Sequence, residues 1–214
     1  MRTLFQKITN FTPPEAFVDE LGGDAHAVLL RSASFDATPA RYSFVAPFPF
    51  LQVRVSGSRC EFTPFHGAPV WEQFGNPWQI LEELTARYEI LDEADLPFPL
   101  GGCFGYWGYD LKNSVEPRLP RRAVNDLELP DAVLGFYDAL LVYDHHLRTI
   151  WIISTGMKLD GSRDEAWAQE RLRRLKGLLA QAAQRKNVPA PESESGGLSA
   201  VTSNFSRAEF IERV

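Results

Sequence analysis

Apolar and polar positions alternate over residues 50–55, where Leu51, Val53 and Val55 interleave with Gln52 and Arg54. A period of two puts the three apolar side chains on one face, which predicts a strand with one buried side. Ser56-Gly57-Ser58 then reads as a turn and residues 59–65 as the returning strand of a hairpin. Residues 41–46 read as a strand before it. The run Ala27-Val28-Leu29-Leu30 is too short for a stable helix and reads as a buried strand. The best hairpin signal lies further on, with strands over 133–143 and 149–154 joined by Asp144-His145-His146-Leu147-Arg148.

The pattern changes to helical spacing in three places. Thr12 as cap, Pro13 at the first helical position and Gly22 as stop predict a helix between them. Asn76-Pro77-Trp78 opens a second helix, with Trp78, Leu81, Leu84, Tyr88 and Leu91 at helical spacing. Residues 162–186 form a long third helix with Trp167, Leu172, Leu175, Leu178 and Leu179 as its apolar stripe, and with Arg171, Arg173, Arg174 and Lys176 on its wet face. Residues 32–40 read as a polar loop, and the Pro-, Glu-, Ser- and Gly-rich stretch 187–200 as an exposed linker. Ser206-Arg207-Ala208-Glu209 fits a capping box, in which serine and glutamate satisfy two helix-start amides reciprocally. The helix it opens has hardly two turns before Val214, which suggests a truncated chain. A complete chain would leave about its last ten residues disordered, since so short an isolated helix is marginal in water.

Composition narrows the class. The chain has 214 residues, 44% hydrophobic and 23% charged, which excludes a mainly disordered or collagen-like protein. Its 28 acidic and 22 basic residues give a net charge of −6, against nucleic acid as a main partner. No apolar run approaches the length of a membrane span. Cys60 and Cys103 offer neither a disulfide framework nor a CxxC motif, which points to a soluble protein of the reducing cytoplasm.

Self-contained catalytic sets are missing from the pattern. Gly102, Gly105 and Gly108 recur every three residues, which is neither G-x-G-x-x-G nor a P-loop, and no long helix opens behind them to hold a phosphate. Glycines in an aromatic strand mark a bulge or a close backbone approach. His145 and His146 are adjacent in a turn, Cys103 reads as a buried structural thiol, and Arg118, Arg121 and Arg122 as a solvated loop. One constellation has a binding logic. Leu29-Leu30-Arg31-Ser32 and Thr38-Pro39-Ala40-Arg41-Tyr42 lie across a short loop and together offer a hydroxyl, a guanidinium, backbone amides and an aromatic wall. Such a set suits a flat zwitterion such as an aromatic amino acid. Alternatively Ser32 turns the loop, Arg41 pairs with a surface acid and Tyr42 belongs to the core.

Several segments, taken in order, resemble the N-terminal region of the chorismate-utilising enzymes, a family that includes anthranilate synthase component I and aminodeoxychorismate synthase component I. They are Leu29-Leu30-Arg31-Ser32, the stretch from Ala40 to Pro47, the stretch from Leu96 to Leu111 with its GG-x-x-GYxGYDL run, and Glu116. Leu129-Pro130-Asp131, Tyr137-Asp138, Tyr143-Asp144-His145 and Ser203-Asn204-Phe205-Ser206-Arg207 follow. The resemblance implies an α+β fold of antiparallel β-sheets packed as a sandwich with flanking helices, incomplete without a C-terminal half. It divides the chain into an N-terminal domain over 1–186, a linker over 187–202 and the start of a catalytic domain over 203–214. Implied too are chorismate as substrate of the intact enzyme, a glutamine amidotransferase partner, and magnesium held by ligands outside this chain. No catalytic residue and no metal ligand is placed here. The matching positions are those of a tryptophan-type pocket: Ser32, Pro39, Ala40, Arg41 and Tyr42, with L-tryptophan as its ligand. Arg31 stands where anthranilate synthases commonly carry glutamate, which tilts the reading to the aminodeoxychorismate branch; anthranilate synthase and a non-catalytic ligand-binding module are the alternatives.

Overall fold

In a computed structural model, which describes residues 2–31, 40–92, 94–119, 127–185 and 206–213, the chain builds two five-stranded antiparallel sheets flanked by helices. The elements in order are β1 (Leu4–Ile8), α1 (Pro14–Leu21), β2 (Val28–Leu30), β3 (Tyr42–Ala46), β4 (Leu51–Ser56), β5 (Arg59–Pro64), β6 (Trp71–Phe74) and α2 (Pro77–Arg87). There follow β7 (Gly102–Trp107), α3 (Lys112–Val115), β8 (Ala132–Tyr137), β9 (Ala139–Asp144), β10 (Thr149–Ser154), α4 (Glu165–Arg185) and α5 (Arg207–Arg213). The first sheet runs β1-β10-β9-β3-β2 and the second β6-β5-β4-β8-β7. The expected α+β class with antiparallel sheets is what the chain adopts.

Each sheet buries a face against helices. In the second sheet Leu51, Val53 and Val55 point to one side and meet Leu81 and Leu84 of α2, while Arg54 faces outward. In the first, Leu141, Tyr143, Ile150 and Ile152 pack against Phe17 of α1 and Leu175 and Leu179 of α4. The alternate residues of β9, Leu140 and Val142, are buried on the opposite face with Ile153 and Phe98. Burial on both faces is why β9 reads as an unbroken apolar run. Each fully buried Leu, Ile or Val contributes about 1.5–3 kcal/mol relative to exposure.

Local signals hold with specific shifts. The first helix begins at Pro14, not Pro13, and Thr12 is buried without capping it. Pro13 precedes another proline, which excludes it from the helical region and leaves it at ψ 144°. Gly22 ends the helix at φ 70°, as expected. In the second, the Asn76 side chain accepts from the Trp78 amide at 3.0 Å, a cap of about 1 kcal/mol. The helix ends at Arg87, so Leu91 falls outside it and is exposed, while Ile80 joins the buried stripe. The long helix starts at Glu165 rather than Ser162, because Asp164 takes the capping role and accepts from the Trp167 amide at 2.8 Å. The capping box forms as read: the Ser206 amide donates to Glu209 at 2.8 Å and the Glu209 amide to Ser206 Oγ at 3.3 Å. Strand β6, with only Trp71 partly covered, was not expected. The linker expected over 187–202 lies outside the described residues.

Two corrections bear on architecture. The single strand expected over 133–143 is split at Asp138, with β8 in one sheet and β9 in the other. Arg171, expected on the wet face of the long helix, is buried and turned to that split. Its Nε and Nη2 lie 3.0–3.2 Å from the Asp138 carboxylate, and Nη2 also donates to the Phe48 carbonyl at 2.7 Å. Phe48 sits at φ 58°, a left-handed conformation costing on the order of 1–2 kcal/mol for a non-glycine residue. Its amide is held by the Ala25 carbonyl at 2.8 Å, so both polar groups of the unfavourable residue are satisfied. The glycine-rich strand behaves as expected for close approach. A Cβ at Gly105 would lie 2.0 Å from the Val133 carbonyl oxygen, and one at Gly108 2.6 Å from that of Asp131.

Candidate functional site

The predicted ligand-binding segment lies at one end of the first sheet. Leu30 of β2 is opposite Phe44 of β3, and Tyr42 of β3 is opposite Asp144 of β9. Antiparallel pairing therefore brings Arg31, the Ala40–Tyr42 stretch and the β9–β10 turn together. Ser32 and Pro39 lie outside the described residues, so the geometry concerns Ala40, Arg41 and Tyr42.

Arg41 is anchored. Its Nε and Nη2 reach Asp144 Oδ2 at 3.0 and 2.5 Å, while Asp144 Oδ1 accepts from the amides of His146 and Leu147 at 3.1 and 3.0 Å. One carboxylate thus shapes the turn with one oxygen and holds the guanidinium with the other. The Arg41 carbonyl accepts from the His145 amide at 3.0 Å. The acid chosen by Arg41 is almost fully covered, with 3% of its side chain exposed, whereas Arg41 keeps 34%. Burial pushes the Asp144 carboxyl up, but Arg41 and the two turn amides outweigh it and hold it below its usual value. The same bond raises Arg41.

Tyr42 packs against the core cluster of Phe98, Leu140 and Val142, as the alternative reading of this residue had it. Its half-buried ring lies edge-on to Phe98 at 5.6 Å, and the Arg41 guanidinium sits 4.9 Å from its centroid. Burial raises its phenol. Ser43 Oγ and His145 Nε2 are 2.8 Å apart, and the His145 ring stands against Phe11. Arg31 is drawn the other way, into an ion pair with Glu15 of α1. The site therefore presents a tethered guanidinium edge beside an aromatic ring, a pairing that suits a planar ligand bearing a carboxylate. Sequence reasoning missed Asp144 as the organiser. It lies 103 residues from Arg41, and only the strand register, invisible in local pattern, joins them.

The glycine-rich segment borders a cleft of about 430 Å³, next to the end of α2. Cys103 lines it, its thiol pushed up to about 12 by burial, which makes it a poor nucleophile at neutral pH. Among the described residues, no three His, Cys, Asp or Glu side chains gather as metal ligands. Among them, too, no helix is long and apolar enough to cross a membrane.

No family model matches the chain. Over 190 residues it is 30% identical to anthranilate synthase component 1 of Acetivibrio thermocellus, covering 87% of this chain and 38% of that protein. Over 145 residues it is 30% identical to aminodeoxychorismate synthase component 1 of Escherichia coli strain K12, covering 67% and 30%. Among solved structures it is similar to anthranilate synthase component I from Streptococcus pneumoniae TIGR4, at 23% identity, with 84% of this chain and 35% of that chain covered and a TM-score of 0.49. The chain spans about a third of the length of the curated relatives it matches.

Proposed function

This chain is homologous to part of anthranilate synthase component 1 and aminodeoxychorismate synthase component 1, and on that footing we propose that it forms the N-terminal part of a 4-amino-4-deoxychorismate synthase component I. In this reading the whole cytoplasmic protein takes chorismate and ammonia, the latter delivered by a glutamine amidotransferase component, to aminodeoxychorismate, the precursor of 4-aminobenzoate and folate. Magnesium and the acid–base groups would be held by residues outside this segment. The segment contributes core and one wall of a tryptophan-type pocket, with Ala40, Arg41 and Tyr42 as its described members and Ser32 and Pro39 completing the set. The anchored Arg41 would meet the ligand carboxylate and Tyr42 its ring.

The observation that carries the reading is the kinship itself, with Arg31 tilting it toward the aminodeoxychorismate branch. Arg31 occupies a position where the resemblance leads one to expect glutamate in anthranilate synthases, and it pairs with Glu15 of α1. A second reading, anthranilate synthase component I, is favoured by the longer match to that protein, 190 residues against 145. Complementation separates the two. The complete protein with its amidotransferase should restore growth without 4-aminobenzoate to a strain lacking aminodeoxychorismate synthase. Rescue only of a tryptophan auxotroph would select the second reading. The 214-residue chain alone should turn over no chorismate with added ammonia; measurable turnover would refute its assignment as a non-catalytic part.

A further inference from the structure

A cleft of about 500 Å³ opens where the start of β4, the loop after β5, the turn after β10 and the first turn of α4 meet, within the usual size range of small-molecule sites. None of its lining residues belongs to the Ala40–Tyr42 segment, and it owes nothing to the synthase reading. Phe50 and Met157 make its floor and are 4% and 3% exposed. Behind them only about 10 Å³ of space remains, between Tyr88, Phe136 and Gly102, so nothing larger than a water could go deeper. Leu159 forms a side, and its carbonyl is tied to the Tyr88 hydroxyl at 2.8 Å. Trp167 makes another wall, braced by the Arg171 guanidinium 4.9 Å from its ring and by the exposed His66 ring, edge-on to it at 5.2 Å. The walls are thus an indole face, a phenyl group and a thioether, all of which favour aromatic contact.

The polar groups around the cleft are nearly all spent. The Phe50 amide donates to the Phe136 carbonyl at 2.9 Å, and the Phe50 carbonyl accepts from the Phe65 amide at 3.2 Å. The Met157 amide donates to Thr155 Oγ1 at 3.3 Å. The Lys158 amide donates to the Ser162 carbonyl at 2.9 Å, and the Lys158 carbonyl accepts from the Gly161 amide at 3.0 Å. The charges are matched too. Arg171, against Trp167, is paired with the buried Asp138. Asp164 binds Lys158 Nζ and the Trp167 amide at 2.8 Å each. Asp160 accepts from the Ser162 hydroxyl and amide at 2.6 and 2.9 Å, both on Oδ1. These bonds, with the Lys158 charge added, hold its carboxyl below its usual value. A carboxylate entering here would meet two acids whose lysine is already taken, and an ammonium would have to displace that lysine. Either charged head would lose water without gaining a free counter-ion. What remains is Asp160 Oδ2, which accepts no hydrogen bond among the described residues and can take one from an uncharged donor.

We propose that this cleft binds an uncharged aromatic alcohol, its ring against Trp167 and Met157 and its hydroxyl donating to Asp160 Oδ2. The probe is 2-naphthol, titrated calorimetrically into the 214-residue chain beside three molecules with the same ring: 2-methoxynaphthalene, which lacks the donor, 2-naphthoate and 2-naphthylmethylammonium. At one site 2-naphthol should bind about three- to tenfold more tightly than its methyl ether and about tenfold or more tightly than either charged form. Met1 and Met157 are the only methionines of the chain, so methyl-labelled methionine locates the ligand. Saturation with 2-naphthol should move the Met157 methyl resonance and leave that of Met1 in place. Asp160→Asn keeps a side-chain oxygen for Ser162 and replaces the other acceptor by an amide nitrogen. It should erase the advantage of 2-naphthol over the ether while leaving the affinity of the ether unchanged. A melting curve confirms that the variant folds, and the order of affinities and the Met157 resonance of the unmodified chain decide the matter if it does not. A charged form that binds as tightly as 2-naphthol, an unmoved Met157 methyl at saturation, or an unchanged ratio of 2-naphthol to ether in folded Asp160→Asn would each overturn the proposal.

Discussion

Strand β9 has an arginine–aspartate pair at each end, and the two could hardly be less alike. At its start, Asp138 and Arg171 are 0% and 3% exposed, packed where the chain leaves one sheet for the other. At its end, Asp144 is as covered as Arg171, but its partner Arg41 keeps a third of its side chain in solvent. The chemistry is the same; the surroundings divide the roles. A charge sealed from water needs its partner to exist there at all, so the first pair is an obligation of the fold. The second leaves an arginine edge accessible, so it can hold geometry and still meet a ligand. In a third pair, Arg163 with Asp92, both partners are mostly covered, at 17% and 19% exposed; both terminal guanidinium nitrogens contact the carboxylate at 2.8–2.9 Å and Thr3 is drawn in as well.

This grading can be broken experimentally, and the buried pair should give the largest effect. Arg171→Met strands the Asp138 carboxylate and releases the Phe48 carbonyl. Urea denaturation should show a loss of about 3–5 kcal/mol. Adding Asp138→Asn should recover part of it, and a double variant no better than the single would mean that the ion pair is not the reason for the loss. Next comes Asp92→Ala, with an expected loss of about 2 kcal/mol at neutral pH, between the values for buried and surface pairs. The sign of its pH dependence is fixed. Arg163, chiefly, and the two Thr3 contacts hold the Asp92 carboxyl well below its ordinary value despite burial. The unfolded chain therefore binds the proton first, so the stabilisation is complete above about pH 4 and drains away as acid titrates toward the folded value. Denaturation midpoints at neutral and acid pH should converge between parent and Asp92→Ala; a constant gap would refute it. The smallest change belongs to Arg41→Ala, less than Asp92→Ala and shrinking further in high salt, because one partner stands in screened solvent. A loss equal to that of Arg171→Met would erase the distinction between the two ends of β9.

What the sequence made legible follows the same division between local and distant causes. Strand β4, the Asn76 cap and the Ser206 capping box were readable because each is decided within a few residues. The split at Asp138 was not. Residues 133–143 read as one apolar run, and only the exit of β9 into another sheet, with burial on both faces, shows that one aspartate is a corner. Arg171 did carry a signal. It lies four residues before Leu175, which is four before Leu179, so it occupies the buried stripe of α4. Charge type suggested solvent, and the position was decided instead by a carboxylate 33 residues earlier. Strand β6 escaped because an edge strand with one covered residue has scarcely any pattern to read. For the candidate site, Arg41 and Tyr42 were named from their order along the chain, while Asp144 needed the register.

The corner at Asp138 also ties the fates of the two sheets. Strands β8 and β9 are consecutive lengths of one peptide spine, joined by a single residue whose carbonyl is gripped by the amide and hydroxyl of Thr155 at 2.7 and 3.0 Å. Unzipping either sheet from that side tugs directly on a central strand of the other. The backbone at that corner therefore carries strain from one sheet straight into the other.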